Sequence, residues 1–79
     1  MDIIYTEYAE ETLSDRKIGK KEVESALLKP LEVVTGNKGR QIAHRLIVDK
    51  LLRVVFERDA KDYIVITAYY TKPARYVRQ

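Results

Sequence analysis

Val23-Glu24-Ser25-Ala26-Leu27-Leu28-Lys29-Pro30-Leu31-Glu32-Val33-Val34-Thr35 is the stretch that decides the fold. Before Pro30, the apolar residues Val23, Ala26 and Leu27 recur at helical spacing and share one face. After it, the period shortens to that of a strand. Proline lacks the N–H that the helical ladder needs, and its ring clashes with the preceding turn, so a helix stops there. Pro30 thus divides a helical half from a β half, and the chain reads as α+β.

Toward the N-terminus, this helix spans residues 20–29 and follows Gly19, which breaks the pattern. A first helix is predicted over residues 7–16. Thr6 is its cap, and the acids of its first turn suit the positive end of the helix dipole. Ala9 and Leu13, with Tyr8 or Thr12, form its thin apolar stripe. Residues 3–5 are a short β-prone start. Toward the C-terminus, residues 31–35 read as a strand and Gly36-Asn37-Lys38-Gly39 as a turn. Residues 40–48, 51–58 and 62–70 read as three longer strands. The turns between them, Asp49-Lys50 and Asp59-Ala60-Lys61, are too short for anything but antiparallel neighbours. The expected architecture is a short strand, a two-helix hairpin and an antiparallel sheet with the helices on one face. It forms a single domain over residues 1–79.

Alternation assigns the faces of that sheet. Leu52, Val54 and Phe56 should meet the helices, as should Ile64, Ile66 and Ala68. Arg53, Val55, Glu57, Tyr63, Val65, Thr67 and Tyr69 should line the open face. Residues 40–48 depend on the register of one turn. Placing Val48 opposite Leu52 pairs Leu46 with Val54 and His44 with Phe56. Ala43, Arg45 and Ile47 then join the open face and His44 points inward. A shift of one residue reverses this. The expected core is Ile4, Leu13, Ile18, Val23, Leu27, Leu46, Val54, Phe56, Ile64 and Ile66.

The composition is that of an ordinary globule: 46% hydrophobic and 34% charged, with 3 Gly and 2 Pro, which argues against disorder. The absence of Cys removes a disulfide framework, a thiolate nucleophile and Cys-ligated zinc. A small chain without disulfides fits a reducing, cytoplasmic setting. The longest apolar run, residues 63–70, is too short to span a membrane, and no signal peptide is expected. The charge is divided unevenly. Residues 1–32 hold 8 acids and 5 bases (−3), whereas residues 33–79 hold 10 bases and 4 acids (+6). Such clustering suggests an anionic partner, nucleic acid first, although a solvated tail explains it equally well.

Several chemistries find little support. One His and no Cys do not make a transition-metal site, so no metal or cofactor is expected. Gly36-Asn37-Lys38-Gly39 precedes a strand, not a helix, and is too short for a phosphate loop. Ser14 and Ser25 lie on helices far from His44, which leaves no basis for a triad. Glu7, Glu10 and Glu11 read as a solvated face. What remains is a sheet face with arginines, tyrosines and a basic tail. Arginine offers a planar fork to phosphate, and tyrosine offers a ring to stack on a base. The same residues also serve as plain cross-strand pairs.

The order of elements resembles the RelE/ParE toxin superfamily. So do Arg53-Val54-Val55-Phe56, Ile64-Val65-Ile66-Thr67 and Lys72-Pro73-Ala74-Arg75-Tyr76. These look like the strands and basic, tyrosine-ending tail of RelE-type messenger-RNA interferases, and BrnT-like toxins share the plan. The segment from Asp15-Arg16-Lys17-Ile18-Gly19 to Pro30 is similar to small RelE-like proteins. The resemblance implies a toxin of a toxin–antitoxin pair that acts as a metal-independent RNA endonuclease. Its partners would be RNA, on or off the ribosome, and a small acidic antitoxin. Arg53 would contact the scissile phosphate, Arg75 a neighbouring phosphate, and Tyr76 a base or a proton. Lys38, Arg45, Tyr69, Lys72 and Arg78 would bind RNA. His44 is either a satisfied structural residue or, in the reverse register, a general base. The ParE branch of this fold is not a nuclease, so a non-catalytic binding module is the alternative.

Overall fold

The computed structural model describes residues 2–73. The element order is β1 (Ile3–Tyr5), α1 (Glu7–Arg16), α2 (Lys20–Leu28), β2 (Glu32–Thr35), β3 (Gln41–Ile47), β4 (Lys50–Asp59) and β5 (Asp62–Thr71). The α+β expectation holds. All five strands join one sheet, ordered β1-β5-β4-β3-β2. Every pairing is antiparallel except that of β1, which runs parallel to β5.

Local chemistry explains the helix ends. The Thr6 hydroxyl accepts the Ala9 N–H at 3.0 Å, as an N-cap does. At the other end of α1, Lys17 turns left-handed (φ 56°) and the Ile18 N–H reaches back to the Leu13 carbonyl. That closure drops Ile18 into the core at 5% exposure and starts α2. The α2 helix ends at Leu28, two residues before Pro30, which cannot extend it.

Both helices cover one face of the sheet. Ala9 and Leu13 of α1 and Val23, Ala26 and Leu27 of α2 pack with Ala43, Leu52, Val54, Phe56, Val65 and Ala68. Six of the ten expected core residues are buried: Leu13, Ile18, Val23, Leu27, Val54 and Phe56. The other four are corrections. Ile4 and Leu46 are about half exposed, and Ile64 and Ile66 are only partly buried.

Two features account for most of these differences. The first is a bulge: Val55 pairs with Thr67, but Phe56 pairs with Val65, so Ile66 is an extra residue in β5. A bulge inverts the alternation beyond it. Val65 and Tyr63 therefore face the helices, and Ile64 faces away. The second is the β3–β4 turn. Ile47 pairs with Lys50, so the turn is Val48-Asp49 and not Asp49-Lys50. His44 consequently lies opposite Arg53, and Arg45 opposite Leu52. Ala43, Arg45 and Ile47 are on the helix side, and His44 is on the other face, the reverse of the expected register. In both β3–β4 and β4–β5 hairpins only the first turn residue has positive φ (Val48 59°, Ala60 55°), the pattern of a type II′ turn. Among the described residues no helix is long and apolar enough to cross a membrane.

Candidate functional site

The face away from the helices carries one polar row that crosses four strands. Glu32 of β2 lies opposite His44 of β3, His44 opposite Arg53 of β4, and Arg53 opposite Tyr69 of β5. Cross-strand neighbours on one face stand within side-chain reach, and here every adjacent pair is bonded. The His44 Nδ1–H donates to Glu32 Oε1 at 3.2 Å. The Arg53 Nε–H donates to His44 Nε2 at 3.1 Å. Arg53 Nη1 donates to the Tyr69 hydroxyl.

Those partners assign the proton of His44 to Nδ1 and leave Nε2 as the acceptor. The ring is 1% exposed, and Arg53 is 9% exposed. Burial, and then the Arg53 guanidinium, hold the His44 pKa below the ordinary histidine value, against an opposing pull from Glu32. At neutral pH the ring is therefore uncharged. Tyr69 is flanked by two cations, with the Arg53 and Arg16 guanidiniums 5.5 and 5.8 Å from its ring centroid. Arg16 also donates to the Ala68 carbonyl at 3.0 Å. Chemically, the row presents a cation fixed between a neutral imidazole and a phenol. That is an arrangement suited to an oxyanion and to proton transfer beside it.

One row along the strands, Ile42, Val55 and Thr67 lie opposite one another and floor a groove of about 420 Å³. Tyr8, Lys38 and Arg40 stand at its sides. Lys38 is exposed on a single 3-10 turn, Asn37–Gly39, where it adopts φ 59°. Arg40 pairs with Glu57 at 3.2 Å, and both side chains are about two-fifths exposed.

The expected site residues are thus divided. Arg53 and Tyr69 meet in the row, and Lys38 borders the groove beside it. Arg45 is elsewhere: on the helix side, its Nη1 donates to the Lys29 carbonyl at 2.7 Å and caps the end of α2. Lys72 is exposed beside Asp49, Lys50 and Tyr70, at the far end of β5. Arg75, Tyr76 and Arg78 lie outside the described residues. The sequence reading missed Glu32, the place of His44 beside Arg53, Arg16 and Tyr8. Reading Val48-Asp49 as the turn would have set His44 against Arg53, whereas Glu32 joins them through the β2–β3 register. Among the described residues there is no group of three or more His, Asp or Glu side chains placed to hold a metal ion. Comparison with protein-family models, curated proteins and solved structures gave no match.

Proposed function

We propose that this protein is the toxin of a toxin–antitoxin pair and acts as a metal-independent RNA endonuclease. The observation that carries the reading is Arg53, held between the acceptor nitrogen of a neutral His44 and the Tyr69 hydroxyl. In the proposed reaction the RNA 2′-oxygen attacks the adjacent phosphorus and the P–O5′ bond breaks. The products are a 2′,3′-cyclic phosphate and a 5′-hydroxyl. Arg53 turns its fork to the phosphate and stabilises the added charge. His44 Nε2, released by that turn, takes the 2′-hydroxyl proton, while Glu32 holds the resulting imidazolium. Tyr69 supplies a proton to the leaving 5′-oxygen. Lys38, with Lys72, Arg75, Tyr76 and Arg78 of the basic tail, binds the flanking RNA. An acidic antitoxin covers this surface in the resting pair.

The test is cleavage of RNA by purified protein, with EDTA present and with or without ribosomes. Arg53→Ala should lose roughly 10²–10³ in rate, the usual effect of deleting a donor to a transition-state oxyanion. Arg53→Lys should not restore it, since an ammonium lacks the planar fork. Because Arg53 is buried, circular dichroism must show both variants folded. Wild type that cleaves nothing defeats the proposal.

A second reading, a non-catalytic binding module of the same fold, draws on the burial of His44 and Arg53. A row whose members satisfy one another can serve to fix strand register alone. It predicts that wild type cleaves no RNA under any of these conditions and that Arg53→Ala loses stability only.

A further inference from the structure

We propose that the groove beside the polar row seats a nucleobase of single-stranded RNA, with Tyr8 as its stacking platform. The inference rests on the ribonuclease reading for the identity of the ligand, but its test does not need cleavage. Tyr8 projects from the first turn of α1 and is 60% exposed. A large aromatic ring left in water beside an apolar floor offers a free π-face, and every nucleobase can use it. The floor is built of Ile42, Val55 and Thr67, which supplies one hydroxyl among apolar carbons. The rim carries Lys38, a cation that complements a phosphate backbone, and Arg40, which is paired with Glu57.

Position selects the ligand further. Thr67 of the groove and Tyr69 of the row are two residues apart on β5, which is about 7 Å along a strand. One extended nucleotide covers that span. A phosphate held at Arg53 therefore places its neighbouring base over the groove and not over the helices. The apolar floor favours a base over a second phosphate, and Lys38 at the rim supplies a cation for a flanking phosphate.

The probe is an uncleavable, 2′-fluoro single-stranded RNA hexamer of mixed sequence, titrated by fluorescence anisotropy. Tyr8→Leu removes the ring at an exposed helix position, and Tyr8→Phe keeps the ring without the hydroxyl. Tyr8→Leu should weaken binding roughly 5- to 150-fold, the range for one lost base–aromatic stack, while Tyr8→Phe should bind as wild type does. A set of hexamers, each with one abasic position, supplies the cycle. At one position, base removal should weaken wild type as much as Tyr8→Leu does, and the two losses should not add. Tyr8→Trp gives a chain with a single Trp, whose fluorescence should be quenched by the intact hexamer. Lys38→Gln should lower the salt slope of binding by about one.

Unchanged affinity in Tyr8→Leu overturns the groove, even if wild type cleaves RNA through Arg53. Tyr8-dependent binding by a protein that never cleaves 2′-hydroxyl RNA overturns the nuclease reading and leaves the groove standing. Failure of wild type to bind the hexamer overturns both.

Discussion

Two side chains illustrate what burial does to a titrating group. Tyr5 packs against the core, and its hydroxyl is buried with no hydrogen-bond partner among the described residues. Burial, and then the carboxylates of Glu24 and Glu10, push its pKa up to about 12. An unsatisfied buried hydroxyl costs about 1–3 kcal/mol, so Tyr5→Phe should raise stability by about 1 kcal/mol in urea denaturation. A loss of stability would show that the hydroxyl has a use. His44 makes the opposite case, because the form that suffers is the protonated one. Its native pKa lies below the unfolded value, near 6.5. Between those two values the unfolded chain binds more protons, so stability falls as the pH drops through that window. Above about pH 6.5 both states are neutral and the group contributes no slope. His44→Gln should remove this part of the acid sensitivity between pH 7.5 and 5. An unchanged pH profile would place the sensitivity elsewhere.

At the scale of elements, the helices were legible and the strand registers were not. Helix ends are written in single residues: the Thr6 cap, Gly19 and Pro30 each act through a local bond or its absence. Strand faces are set by turns and bulges, where one residue inverts everything beyond it. Val48 shows why the turn was misread. A β-branched residue is poorly suited to positive φ, so nothing in the sequence marks Val48 as a turn residue. The strain at Val48 is a few kcal/mol at most, and the pairing of all seven β3 residues with β4 outweighs it. Val48 is also 98% exposed, so its side chain packs against nothing. Val48→Gly should therefore stabilise the hairpin by about 1 kcal/mol, allowing for the greater freedom of glycine when unfolded. A lower urea midpoint would contradict the strain. The same reasoning explains why half of the polar row was hidden. Arg53 and Tyr69 were assigned to the open face, but His44 and Glu32 join them only in the observed register.

For the molecule as a whole, charge and shape divide the labour. The helices carry half of the acids and occupy one face, while the basic half supplies most of the sheet and the proposed RNA surface. On the proposed function, an acidic antitoxin competes with RNA for that sheet face. Its affinity should fall as salt rises from 0.05 to about 0.5 M, since exposed charges are screened beyond about 10 Å at 0.1 M. Calorimetry at several salt concentrations checks this, and salt-insensitive binding through the acidic helices would contradict it.

The pairing of β1 with β5 bears on how the chain is made. Tyr5 and Val65 are partners in the sheet although sixty residues separate them. A ribosome adds about 5–20 residues per second, so β1 is synthesised roughly 3–12 s before the strand it needs. Through that interval α1, which packs on β5 and β1, has no sheet beneath its apolar stripe. Although made before the other strands, β1 and α1 are thus locked in place only after β5 emerges. Nascent chains stalled short of residue 62 should display Ala9 and Leu13 to chaperones and proteases.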